Sequence, residues 1–151
     1  MTRTLEPGRT TWHGERAQVD DAVLEPKGVQ RPRIPIIVGG NGPNVTWRLA
    51  ARFADELNLD WLTPDEIREA RPVIASRCEE IGRDPATLRL SVNIGRDEIK
   101  AAGAGRVELL AGYREVGVAR VMTLLQESAT SDAALELLAE DARAAGCEME
   151  G

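Results

Sequence analysis

The chain has little of what metal centres and disulfide scaffolds are made from. Among its 151 residues stand one histidine, His13, and two cysteines, Cys78 and Cys147. A single histidine excludes a His-rich metal site. Two cysteines far apart in sequence, without metal-ligand spacing, argue against a structural metal and a disulfide framework, so both thiols are expected reduced and structural. No apolar run approaches the length of a membrane span, and no charged-then-apolar leader precedes Trp12; the expectation is a soluble, cytoplasmic protein with no membrane partner. Basic residues are not concentrated on any stretch and the formal net charge is -6, which argues against nucleic acid as a partner. What is present is ordinary apolar content over a length that suits one compact domain with its own core.

The informative stretch runs from Ile34 to Asp55. Ile34, Ile36, Ile37 and Val38 form a short β-branched run, too brief for a helix and suited to a parallel strand covered on both faces. Gly39, Gly40 and Gly42 then let the backbone turn sharply and approach a ligand closely. Pro43 stands at the expected first helical position, where its missing N–H costs nothing. Val45, Leu49 and Phe53 recur at four-residue spacing with Ala50 and Ala54 beside them, which predicts an amphipathic helix laid on the sheet by that face. Free N–H groups and the positive dipole end at the helix start would attract an anion such as a phosphate. The alternative is a tight strand-to-helix turn that binds nothing. A dinucleotide-binding (Rossmann) reading is also open, since Gly40-Asn41-Gly42 follows a strand and Asp60 lies twenty positions after Gly40. It is weakened by Val45, which replaces the third glycine of that motif.

Residues 1–33 are rich in Pro, Gly, Arg, Asp and Thr and are expected as an extended N-terminal arm; 34–146 form the folded body and 147–151 an acidic, solvated tail. After the organising helix, Leu57 and Leu59 alternate within a second strand, 55–60, whose end carries Asn58, Asp60 and Trp61. Thr63-Pro64-Asp65-Glu66 is a capping box with a first-position proline. It opens a helix to about Ile81 that buries Ile67, Ala70, Ile74 and Cys78, with Gly82 as its stop. Pro72 inside that helix predicts a kink. Leu88, Leu90, Val92 and Ile94 alternate with polar residues in a third strand. Residues 95–105 are expected as a loop, 106–116 as a helix stopped by Gly117, and 118–125 as a fourth strand. A last helix begins at Ser131 or Asp132 and places Leu135, Leu138 and Ala142 on one face. Alternation of four strands with four helices predicts a parallel sheet.

The segment Glu25 to Gly42, followed by Leu49-Ala-Ala-Arg-Phe-Ala-Asp55 and Asn58-Leu59, resembles the luciferase-like monooxygenase superfamily, most closely its deazaflavin-dependent (F420) oxidoreductase branch. The stretches 78–86 and 117–122 extend the resemblance. It implies the C-terminal half of a TIM (β/α)8 barrel, four parallel strands alternating with helices. It also implies a cofactor, coenzyme F420 or alternatively FMN, whose phosphate is held by Gly39, Gly40, Asn41 and Gly42, with Thr46 from the following helical turn. Where many relatives carry a charged pair after the glycines, Pro43 and Asn44 stand here, so a cation would have to come from Arg48 or Arg52. The implied activity is hydride transfer to or from a small organic substrate. Ring-facing and proton-handling side chains come largely from the first half of such barrels, so no catalytic acid or base is assigned; Asn58, Asp60 and Asn93 are equally well read as loop polars. A binding module that keeps the phosphate seat without chemistry is the alternative. Half a barrel has two open strand edges, near Ile36 and Val121, which predicts a homo-oligomer or a complementing N-terminal half.

Overall fold

The computed structural model describes residues 8–26, 28–31, 33–95 and 97–148. The chain divides into two compact units, Met1–Pro35 and Ile36–Gly151. In the first, strands β1 (Thr10–His13) and β2 (Gln18–Ala22) pair antiparallel with an irregularity between Thr10 and Trp12. Arg9 donates to the Asp21 carboxylate at 2.7 Å and His13 pairs with Asp20 across the hairpin. The segment expected only as an extended arm thus contains a hairpin. Its strands carry polar residues on both faces, so they lack the apolar alternation by which a half-buried strand is recognised.

The second unit is a sheet of four parallel strands in the order β3 (Ile37–Gly39), β4 (Glu56–Asp60), β5 (Arg89–Asn93) and β6 (Arg120–Met122). Helices connect them: α1 (Thr46–Phe53), α2 (Pro64–Glu79), and, between β5 and β6, α3 (Asp97–Lys100) and α4 (Ala104–Glu115); α5 (Ala133–Ala144) follows β6. The register places Leu57 beside Leu90 and Leu59 beside Val92 beside Val121. These side chains and Val38 form one face, and they pack with Ile67, Ile74, Cys78, Leu110 and Tyr113 of the helices. The opposite face carries Glu56, Asn58 and Asp60 beside Arg89, Ser91 and Asn93, then Arg120 and Met122.

Local chemistry accounts for most boundaries. Thr63 accepts from Glu66 N and the Glu66 carboxylate accepts from Thr63 N at 2.7 Å, so α2 starts on the expected capping box. The helix runs through Pro72, whose side lies toward solvent, and Gly82 ends the segment at φ +71°. The first and last strands are shorter than expected: Ile34 and Pro35 lie before β3, and a 3₁₀ turn at Gln126–Ala129 takes up the chain soon after β6. The expected loop at 95–105 contains the short helix α3.

One expectation about α1 is reversed. The helix starts at Thr46, three residues after Pro43, and its buried face is Trp47, Ala50 and Ala51, followed by Ala54. Val45, Leu49 and Phe53 are exposed. Alanine lets the helix axis come close to the sheet, and Trp47 supplies the bulk at its start. Two stripes on this helix have acceptable spacing, and the small one makes the closer contact.

Candidate cofactor site

The glycine bend is built by hydrogen bonds to its neighbours on either side. Gly40 adopts φ +122°, a region that disfavours side chains. Its N–H donates to Asn58 O at 2.9 Å, continuing the ladder past the end of β3. Asn41 then bonds twice to the end of β4: its amide donates to Asp60 O at 2.7 Å, and its side-chain oxygen accepts from Asp60 N at 2.9 Å. On the far side, Trp47 N donates to Gly42 O at 3.0 Å and the Trp47 indole N–H donates to Gly40 O at 3.2 Å. Thr46 fills the inside of the turn. A Cβ on Gly42 would stand 3.0 Å from Thr46 Oγ1, and one on Gly40 would stand 3.4 Å from its methyl.

The bend leaves a set of donors open. Among the described residues, the N–H groups of Asn41, Gly42, Asn44, Val45 and Thr46 donate to no protein oxygen. Val45, at the N-cap position of α1, offers no side-chain oxygen to them, and the first turn of the helix contains no acidic residue. Such a start favours an anion by its orphan amides and dipole.

The five residues expected at the seat, Gly39, Gly40, Asn41, Gly42 and Thr46, are therefore contiguous in space, though with different capacities. Gly40 has its N–H committed, and the Asn41 side chain is spent on Asp60, so that only its main chain is open. Of the two arginines expected to supply a cation, Arg48 lies 3.5 Å from Glu80, and the Arg52 guanidinium sits 5.2 Å from the Phe53 ring centroid. Arg77 of α2 reaches the loop, its Nε donating to Pro43 O at 3.1 Å, and it also pairs with Glu80. Nothing in the sequence around the glycines signals that residue, which lies a whole βα unit away.

The polar groups at the neighbouring strand ends are tied to one another. Asn58 Nδ2 donates to Ser91 Oγ at 2.9 Å, and Asn93 Nδ2 lies 3.5 Å from Asp60 Oδ1. Trp61 follows with φ +61° and packs its indole on Gly95, where a Cβ would come within 3.0 Å of the ring. In the helix layer, Arg106 is buried and donates to Asp141 at 2.6 Å, and the Gly103 N–H donates to the same carboxylate at 2.9 Å. The Gly103 N–H, then Arg106, holds Asp141 below its usual range against the opposing effect of burial. Burial pushes the Cys78 thiol up, as befits an unreactive core residue.

A profile for luciferase-like monooxygenases matches residues 1–96. The chain belongs to that family. Two solved structures share the fold of this luciferase-like chain. One is an F420-dependent secondary alcohol dehydrogenase in complex with an F420-acetone adduct, at 16% identity and TM-score 0.65, covering 80% of this chain and 52% of that one. The other is the coenzyme F420 dependent tetrahydromethanopterin reductase from Methanopyrus kandleri, at 19% identity and TM-score 0.56, covering 98% of this chain and 44% of that one. The luciferase-like chain thus spans about half the length of these enzymes, and its four-stranded parallel sheet is a partial (β/α)8 barrel. No curated protein matches it significantly in sequence. The dinucleotide-binding alternative loses its basis, because the four strands lie in sequence order, without the reversal at which such sheets open a crevice. Among the described residues, no helix is long and apolar enough to cross a membrane.

Proposed function

We propose that this luciferase-like chain seats the phosphate of coenzyme F420 on the 39–46 loop, as part of an oxidoreductase that moves hydride to or from a small organic substrate. The observation that carries the reading is the set of five open N–H groups around an uncapped helix start. Phosphate oxygens would satisfy them, and charge-assisted bonds of this kind each contribute about 1.5–3 kcal/mol. The residues present fit the group. Gly39, Gly40 and Gly42 keep side chains out of the approach, and Asn41 pins the loop to β4 so that the amides are set before a ligand arrives. Thr46 offers a hydroxyl from inside the turn. When bound, the deazaflavin supplies the carbon that gives or takes the hydride. Both neighbouring structures are F420-dependent, which supports F420 over FMN.

A second reading, a binding module without turnover, is favoured by one feature: Asn58, Asp60 and Asn93, the polar groups beside the loop, all make contacts with protein partners. One experiment tests the seat. Trp47 donates its indole N–H to Gly40 O, so tryptophan emission reports on the loop when F420, FMN and NAD are titrated in turn. A saturable response to F420, weaker for FMN and absent for NAD, is expected. No response to any of the three, or a response to NAD alone, would overturn the reading. Hydride transfer from reduced F420 to small carbonyl compounds then separates enzyme from module.

A further inference from the structure

We propose that Arg77 is a positioning residue for the anion seat: it locks the Pro43–Asn44 peptide plane so that the carbonyl faces α2 and the Asn44 N–H is presented to the ligand. This role presupposes the phosphate seat proposed above and adds to it a side chain from the next βα unit.

Most of the bend is fixed from within itself or from β4. Asn41 is bridged to Asp60, Gly40 O accepts from the Trp47 indole, and Gly42 O accepts from Trp47 N. The Pro43 carbonyl, among the described residues, accepts no main-chain N–H. The proline ring fixes φ at that residue. It leaves ψ of Pro43 and φ of Asn44 unconstrained, and these two torsions together can turn the peptide plane over.

Arg77 supplies the missing tie. Its side chain is 17% exposed, and its Nε donates to Pro43 O at 3.1 Å. Nη1 donates to Glu80, and Nη2 lies 3.5 Å from Asn44 Oδ1, so the guanidinium is held on several sides. Glu80 in turn lies 3.5 Å from Arg48 in the first turn of α1, which joins the end of α2 to the stretch before and after that helix start. The Pro43–Asn44 peptide is trans, so its C=O and N–H point in opposite directions. Holding Pro43 O toward α2 therefore aims the Asn44 N–H away from α2, where it donates to no protein oxygen. A turned-over plane would do the reverse and set a carbonyl oxygen against the anion. Because Glu80 pairs with the guanidinium, what Arg77 gives the seat is direction rather than charge.

Arg83 provides the contrast. It follows α2, and its Nη1 donates to Ala51 O and Ala54 O at 2.8 Å each, while Nη2 donates to Thr87 O at 2.9 Å. It thus holds the C-terminal end of α1, the end remote from the open amides, and serves the packing of that helix.

Calorimetric titration of F420 into the full chain, with thermal melts beside it, compares the parent with Arg77→Lys, Arg77→Gln and Arg83→Lys. Lysine keeps the charge, but one ammonium cannot reproduce a fork held by Pro43 and Glu80 together. Both Arg77 variants should bind F420 about tenfold more weakly, the scale of one charge-assisted bond. Arg83→Lys should melt at a lower temperature and bind F420 as the parent does. A second readout needs no ligand: nitrogen relaxation of the free protein should show the Asn44 amide gaining fast motion in both Arg77 variants while the Trp47 amide stays rigid. Parental affinity in Arg77→Lys, affinity that falls in step with melting temperature in the Arg77 and Arg83 variants alike, or an Asn44 amide as rigid in Arg77→Gln as in the parent would each overturn this role alone. A parent chain that takes up no F420 would overturn the phosphate seat and this role with it.

Discussion

The helix-covered side of the sheet and the mouth at its strand ends are made of different materials. Under the helices, Leu57, Leu59, Val92, Ile67 and Cys78 are wholly shielded from solvent and interact through packing. At the mouth, the structure is carried by main-chain groups and one reciprocal asparagine bridge, while glycine keeps the surface bare. The first arrangement resists change of volume. The second resists change of shape, and it leaves donors open that the covered side would never tolerate. Stability and ligand affinity should therefore be separable by position, and substitutions can break or sharpen that division.

The largest effect is expected from Leu59→Ala. It removes buried methyl groups from the strand face under the helices and should cost about 3 kcal/mol in a denaturant titration, while F420 affinity of the remaining folded protein stays the same. Loss of affinity in parallel with stability would show the two regions to be coupled. Next is Asp141→Asn, which leaves the buried Arg106 without its counter-charge and should cost about 2–3 kcal/mol. The sign of its pH dependence follows from the lowered folded-state pKa. The carboxylate's contribution is present above the ordinary value of 3.8 and is lost as pH falls through the lower native value. Thermal melts should therefore show a steeper acid limb in the parent than in Asp141→Asn.

Gly42→Ala belongs to the other region. The new Cβ would press on Thr46 Oγ1 and tilt the open amides, so F420 affinity should fall by about tenfold, roughly 1.4 kcal/mol, with a small change in melting temperature. A large stability loss without an affinity change would place this glycine with the packing residues. The smallest effect is expected for Asn93→Ala, since its contact with Asp60 is long and exposed; stability should change by less than about 0.5 kcal/mol.

The covered side was the more legible in sequence. Alternation in β4 and β5 and the capping box of α2 named their own elements, and Ile67, Ala70, Ile74 and Cys78 are buried as their spacing predicts. Periodicity failed on α1, where two stripes compete and only contact with the sheet decides between them. It also missed the polar hairpin, which has no apolar face to betray it. At the mouth, the glycines announced a bend, but their partners did not follow from them. The Asn41 bridge to Asp60 and the Arg77 bond to Pro43 join residues brought together only by the parallel crossover, so no local pattern encodes them.

The central claim is that open amides at 41–46 receive the cofactor's phosphate. Amide nitrogen–proton correlation spectra recorded while F420 is added test it most directly. The account predicts saturable shifts centred on Asn41, Gly42, Asn44, Val45 and Thr46, with the buried amides of Leu57 and Val92 unmoved. Binding that leaves those five signals in place and shifts others instead would contradict it.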